Sequence, residues 1–324
     1  MYWIPFSKKK IRFFYLLLLL LFCIFLFFII YFTYYRNKKE GFLGPDPTTG
    51  EYDIERINKN AVIPLHIYQT WSTKSLPPKM KRCVDKLKKM NPEFQHHLFD
   101  DADCREFIKN NYESNVLEAY DSLIPGAYKA DLWRYCILYK NGGIYLDIKF
   151  VPVNGFKFIS CIDKEYFVLD RPYEDFSVTI KDELKLLNRP DYYNKIENKI
   201  SDVFWKNKKI GLYNALIIVK PNHPVLFECI QQIVKNVKNK EYGYNPLYPT
   251  GPGLLGEKYF RGDMSKINEI EMYNSLVGTY ILTKKGKILE HYKEYRQEQN
   301  SSSLSHYYGL WINRKIYKEL YERI

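Results

Sequence analysis

Asp131, Arg134, Asp147 and Lys149, all within Ala127–Phe150 (AYKADLWRYCILYKNGGIYLDIKF), are the residues whose types and spacing could do chemistry. Carboxylates supply hard oxygen ligands to divalent cations, and cationic side chains offset the charge of phosphates. Asp131 and Arg134 lie three apart, the spacing of neighbours on a helix surface. Asp147 and Lys149 lie two apart, the spacing of side chains on one face of a strand. Each pair also has a plainer reading. The first is an intrahelical ion pair worth about a few tenths of a kcal/mol, and the second an ordinary salt bridge.

The elements that must position these residues are legible around them. Tyr128–Tyr139 contains no Gly or Pro and sets Ala130, Trp133 and Ile137 at helical spacing. Gly142 and Gly143 supply the positive-φ residues that a helix C-terminus prefers. Ile144–Phe150 then alternates, which predicts one strand with Tyr145, Asp147 and Lys149 on the same face. Pro152 cannot donate to a ladder, so Asp147 falls near the strand's end, where α/β sheets keep their ligands.

Upstream, Ile63–Tyr68 reads as a buried strand ending in Gln69-Thr70-Trp71, and Pro77-Pro78 opens an amphipathic helix through Met90. Phe94–Phe99 reads as the second strand. Asp100–Asp103 offers N-cap carboxylates to a helix over Cys104–Asn110. This strand–helix–strand order predicts an α/β fold with a parallel sheet and right-handed crossovers. His66 reads as a satisfied core histidine and His223 as a turn residue. Tyr166–Asp170 and Leu212–Val219 read as further strands, Val225–Val237 as a helix, and Glu269–Tyr273, Leu276–Thr283 and Ile288–Tyr292 as late strands. Pro249–Gly253 (PTGPG) reads as a rigid loop whose glycines let backbone approach a ligand, with a structural turn as the alternative. The charged segment Lys181–Asn207 shows little periodicity.

An Asp-x-x-Arg helix followed by GGIYLD resembles the DXD-motif sugar transferases of glycosyltransferase family 32. That family includes initiation-specific α-1,6-mannosyltransferases and mannosyltransferases of inositol-phosphoceramide synthesis. IPLHIYQTW (Ile63–Trp71), NPEFQHHLFDD (Asn91–Asp101), ALIIVKPNHP (Ala215–Pro224), Thr250-Gly251-Pro252-Gly253 and His306 through Trp311 look like the family's other markers, in the family's order. The resemblance implies a GT-A fold, Rossmann-like, and a retaining enzyme that takes a UDP- or GDP-hexose donor and needs no dedicated general base. It implies catalytic roles for Asp131, Arg134, Asp147 and Lys149, and a donor site that adds Thr70, Trp71, Tyr145, Gly251 and Gly253. Core packing is an equal reading of Trp71.

The resemblance also implies Mn²⁺ or Mg²⁺ held by Asp147 and His306. One departure bears on that metal. Where the family's strand carries a second carboxylate, this chain has Lys149. An ammonium there would repel a bound cation while neutralising a diphosphate itself. Two versions stay open, one with metal bound through Asp147, His306 and the phosphates, the other with Lys149 taking over part of the metal's role.

At 324 residues the chain has room for one large α/β domain. Its formal charge is +12, but residues 1–40 hold seven basic residues against one acidic, so the remainder is only modestly basic. No RNP-like, zinc-finger or helix-turn-helix signature and no basic stripe accompanies that charge, which excludes nucleic acid as the expected partner. Of six cysteines none forms a CxxC, so zinc is not expected, and the disulfide state stays open.

Phe13–Tyr35 is a run of 23 residues without a charge, long enough to cross a hydrocarbon core of about 30 Å. No small-residue cleavage site follows it, so it reads as an anchor rather than a signal peptide. The expected organisation is a cytosolic tail over 1–12, a transmembrane helix over 13–35, an unstructured stem over 36–60 and a single GT-A domain over 61–324. A weak positive-inside bias orients it as a type II protein with the remainder in a secretory lumen, and the resemblance implies a Golgi-type enzyme with a luminal catalytic domain. Asn300-Ser301-Ser302 is a candidate N-glycosylation acceptor. The expected acceptor substrate is a glycan or glycolipid. Two other function classes fit the same residues. One is a catalytically silent nucleotide-sugar or glycan-binding protein on this scaffold, and the other a basic membrane-surface scaffold without sugar chemistry.

Overall fold

The computed structural model describes residues 25–26, 52, 61–170, 210–275, 279–301 and 307–318. The chain divides into two compact units, Met1–Leu43 and Gly44–Ile324. In the first, the described residues are Phe25 and Leu26, helical and exposed. The rest of the anchor at Phe13–Tyr35, the cytosolic tail, the stem apart from Tyr52, the segment Lys181–Asn207, Ser302 and His306 lie outside the described residues. Among the described residues no helix is long and apolar enough to cross a membrane.

The second unit begins with β1 (His66–Thr70), α1 (Pro78–Met90), β2 (Gln95–Phe99), α2 (Asp101–Asn111), α3 (Ser114–Ser122), α4 (Gly126–Asn141), β3 (Gly143–Leu146) and β4 (Phe150–Pro152). It continues with β5 (Tyr166–Leu169), β6 (Leu212–Val219), α5 (Pro224–Lys238), α6 (Pro252–Phe260), β7 (Met272–Asn274), β8 (Tyr280–Thr283), β9 (Gly286–His291), α7 (Tyr295–Ser301) and α8 (Tyr307–Ile312). The strands form one sheet in the order β2-β1-β3-β6-β5-β7-β8-β9-β4.

The expected parallel pairing holds for β2, β1 and β3 and for one further pair. β6 runs antiparallel between β3 and β5, and the pairs β7–β8, β8–β9 and β9–β4 are also antiparallel. β5 and β7 are parallel to each other. Consequently β1, β2, β3, β5 and β7 all run one way, and their carboxyl ends share an edge with the start of β6.

Local signals explain most elements. Pro78 opens α1, and Asp100 caps α2 in a capping box with Asp103. Gly142 ends α4 at φ 64°, and a side chain there would collide with Pro221. α4 is buried nearly all round, with Leu132, Trp133, Tyr135, Cys136 and Leu138 fully enclosed between β3 and the helices α2, α3 and α5. Cys83, Cys104, Cys136, Cys161 and Cys229 are free thiols.

Three boundaries differ from expectation. β1 starts at His66 and runs on through Gln69 and Thr70, because Pro64 lacks an N–H while Thr70 still pairs with Phe99 of β2. The single strand expected over Ile144–Phe150 is two. β3 stops at Leu146, the Phe150 N–H closes a turn on the Asp147 carbonyl at 3.1 Å, and β4 crosses to the far edge to pair with β9. The loop Pro249–Gly253 runs into an unforeseen helix, α6, with Pro252 in its first turn. Tyr52, from the segment expected to be unstructured, donates to the Gly155 carbonyl and accepts from the Lys157 N–H, both at 3.2 Å.

Candidate active site

α4 places Asp131 and Arg134 one turn apart with their charged ends on β3 and β6, and both residues are buried, at 7% and 5% exposure. The Arg134 guanidinium lies 3.2 Å from Asp131 Oδ1. It donates to the Asn214 carbonyl at 2.7 Å and to the Ala130 carbonyl at 3.2 Å. Its flat face covers the Tyr145 ring at 4.3 Å. Asp131 Oδ1 accepts from Asn214 Nδ2 at 2.9 Å, and Oδ2 accepts from the Thr250 hydroxyl at 2.7 Å. Asn214 also donates to the Tyr135 hydroxyl at 3.1 Å. Burial pushes the Asp131 carboxyl above the usual carboxylate range, against the pull of Arg134 and Thr250.

The turn after β3 supplies the second pair. Asp147 is held by its N–H, which donates to the Ala215 carbonyl at 2.8 Å. Its Oδ1 accepts from the Tyr145 hydroxyl at 2.8 Å and lies 3.6 Å from Arg134. Its Oδ2 lies 2.6 Å from Lys149 Nζ. Asp147 and Lys149 therefore meet, though across a turn rather than along a pleated face. Burial alone would raise the Asp147 carboxyl, but Lys149 and Arg134 overcome it and hold the group below its usual range. Burial likewise opposes the Lys149 charge, and Asp147 holds the ammonium above the usual lysine range. Lys149 also sits 5.3 Å from the Tyr213 ring and 5.5 Å from that of Phe150.

The remaining expected residues are more dispersed. Gly251 reaches the network, since a Cβ there would lie 3.2 Å from Asp131 Oδ2. Gly253 does not, being packed into the first turn of α6 against Tyr244 and Tyr248. The Thr70 hydroxyl at the end of β1 is spent on the Phe99 carbonyl at 3.0 Å. Trp71 is half-buried against the cluster of Met80, Val84, Ile148 and Tyr292. His66 is half-buried with Nδ1 3.1 Å from His97 Nε2, and His223 precedes α5 as its N-cap.

Asn214 and Thr250 complete the network, and neither is among the site residues expected from the sequence, although Thr250 opens one of the quoted markers. A signal existed for each. Asn214 is the amide inside the otherwise apolar strand LYNALIIV, and Thr250 belongs to the PTGPG loop, where only the glycines drew attention. Asp170, just past β5, adds another carboxylate to the same sheet edge, with Asn274 Nδ2 at 3.5 Å.

The residues present do not fit the two-carboxylate metal cradle of the DXD pattern. Both oxygens of Asp147 face cations, Lys149 at 2.6 Å and Arg134 at 3.6 Å. Among the described residues no group of three or more His, Cys, Asp or Glu side chains could hold a metal ion.

Residues 77–168 match a family described as the glycosyltransferase sugar-binding region containing the DXD motif. Inositol phosphoceramide mannosyltransferase 3 of Schizosaccharomyces pombe is 42% identical over 28% of this chain and 25% of its own length. Inositol phosphoceramide mannosyltransferase 2 of the same yeast is 33% identical over 67% of this chain and 53% of its own length. The initiation-specific alpha-1,6-mannosyltransferase of Candida albicans is 28% identical over 69% of this chain and 60% of its own length. The chain thus spans between a quarter and three fifths of the length of these relatives. With that region matched and the Asp-x-x-Arg helix and the GGIYLD strand converging on one buried network, residues 77–168 carry the sugar-binding region of the DXD-motif glycosyltransferases, and the chain is similar over about two thirds of its length to mannosyltransferases of that group.

Proposed function

We propose that this protein is a GT-A glycosyltransferase that moves a hexose, mannose in the first instance, from a UDP- or GDP-linked donor to a hydroxyl of a glycan or glycolipid. The anomeric configuration is retained. The observation that carries the reading is the Asp131 carboxylate, fixed by Asn214, Thr250 and Arg134 beside the carboxyl end of β3. A carboxylate has about four lone-pair sites. Three are taken here, which leaves one for a sugar hydroxyl.

In this reading Asp131 holds the donor sugar, and Arg134 keeps that carboxylate ionised and oriented. Gly251 lets the loop before α6 close on the sugar. Asp147 and Lys149 face the nucleotide's diphosphate, and Trp71 borders the base. The apolar run Phe13–Tyr35 supports a type II membrane anchor, with the catalytic unit facing the secretory or Golgi lumen beside glycan and glycolipid acceptors.

The test is hydrolysis of a panel of UDP- and GDP-sugars by the full chain in detergent, followed as release of nucleoside diphosphate. One donor is expected to support release, and Asp147→Ala and Asp131→Asn are expected to abolish it in protein whose melting shows it folded. A folded protein that neither releases nor binds any nucleotide would leave a catalytically silent glycan-binding protein as the better description.

A further inference from the structure

The residue that breaks the DXD pattern is built into the site rather than left on its surface. The Lys149 side chain is 16% exposed, and its ammonium is 2.6 Å from Asp147 Oδ2. The rings of Tyr213 and Phe150 lie 5.3 and 5.5 Å from Nζ. The backbone is pinned as well. The Lys149 carbonyl accepts the Tyr292 N–H at 3.1 Å, just beyond β9, and the Asp147 carbonyl accepts the Phe150 N–H at 3.1 Å. On the other side of Asp147, Arg134 is 3.6 Å away and fixed by two backbone carbonyls. A divalent cation approaching Asp147 would meet a fixed positive charge at each oxygen. A diphosphate approaching the same edge would meet the Lys149 ammonium, which has three N–H donors, while Arg134, enclosed by its own partners, adds its charge from behind.

We propose that the Lys149 ammonium, positioned by Asp147, supplies the charge that stabilises the departing nucleoside diphosphate, so that transfer proceeds without a divalent cation. The proposal rests on the glycosyltransferase reading above. In the step, the bond from the anomeric carbon to the β-phosphate oxygen breaks, and its electron pair stays on that oxygen. The acceptor hydroxyl oxygen forms the new bond to the anomeric carbon, and its proton passes to the departing phosphate. Lys149 donates hydrogen bonds to the phosphate oxygens as their charge grows and stays protonated throughout. Asp147 is a positioning residue in this step, because it reaches the phosphate through Lys149.

The experiment is donor hydrolysis by the full chain in detergent, with Mn²⁺ or with EDTA, for the unmodified protein, Lys149→Met, Lys149→Arg and Lys149→Asp. Turnover of the unmodified protein is expected to be the same in EDTA. Lys149→Met is expected to lose about 100-fold in kcat, read on protein whose melting shows it folded, and Lys149→Arg to recover part of it. Lys149→Asp restores the acidic pair and is expected to turn over only with Mn²⁺. Turnover that EDTA abolishes and Mn²⁺ restores in the unmodified protein overturns the inference and leaves the glycosyltransferase reading standing.

If no donor is hydrolysed, calorimetric binding of UDP and GDP decides. Binding in EDTA that Lys149→Met weakens by about tenfold supports the inference. Binding that requires Mn²⁺ overturns it, and no binding under either condition overturns both the inference and the donor site. Should Lys149→Met fail to fold, Lys149→Arg with EDTA carries the same comparison.

Discussion

The Thr250 hydroxyl donates to Asp131 Oδ2 at 2.7 Å, although 119 residues separate the two in the chain. That bond ties the loop before α6 to the middle of α4. Gly251 follows at once, and a Cβ there would crowd the same carboxylate at 3.2 Å and the Leu247 carbonyl at 3.1 Å. Donor sugar and loop would therefore be organised by a single buried acid.

Thr250→Val keeps the shape of the side chain and removes the donor. It leaves one oxygen of a buried carboxylate short of a partner, at a cost of about 1–3 kcal/mol. A lowered melting temperature and a raised KM for the donor are expected. An unchanged melt together with an unchanged KM would show that the bond matters to neither the fold nor the site.

Arg134→Lys preserves charge and loses geometry. The guanidinium serves the Asn214 and Ala130 carbonyls while lying beside both Asp131 and Asp147, and a point-like ammonium cannot satisfy all four. Donor turnover is expected to fall by about 10²–10³ and the melting temperature to drop. Wild-type turnover from this variant would reduce Arg134 to a source of bulk charge.

Two half-buried histidines with enclosed ring nitrogens, His96 and His291, set an acid limit on stability. Burial, with Lys149 adding to it, pushes His291 down to about 3, and burial with Lys88 and His97 pushes His96 down to about 4. In the unfolded chain each takes up a proton near pH ~6.5. Between that pH and the folded values the unfolded state binds more protons, so stability falls as the pH is lowered. Replacing them (His291→Gln with His96→Leu) is expected to flatten the drop in urea midpoint between pH 7 and pH 5. Identical midpoint shifts in variant and parent would refute the assignment.

Glu298 of α7 caps α1 from a distance. Its Oε1 accepts the Lys79 N–H and its Oε2 the Met80 N–H, each at 3.0 Å, and Oε2 also accepts the Tyr292 hydroxyl at 2.9 Å. The amide-bearing first turn of a helix favours a carboxylate there. Glu298→Ala is expected to cost about 1 kcal/mol and to speed hydrogen exchange in the first turn of α1. Unchanged exchange at those amides would assign the cap to solvent instead.

Local sequence determined what local physics decides. Pro78, the Asp100–Asp103 capping box and Gly142 set the ends of α1, α2 and α4. Alternation and apolar runs mark β2, β5 and β6, and spacing alone puts Asp131 and Arg134 three apart on a helix. Tertiary structure decided the rest. β6 entered the sheet antiparallel beside β3, which brought Asn214 under Arg134 and Asp131; its strand pattern would look the same in either direction. The turn at Asp147 sent β4 to the opposite edge of the sheet, because pairing with β9 was available there and alternation alone cannot report a missing neighbour. The same turn, and not a pleat, set Lys149 against Asp147. Spacing in the chain names candidates for a charged site, but which charges are neutralised depends on partners from elements far away in sequence.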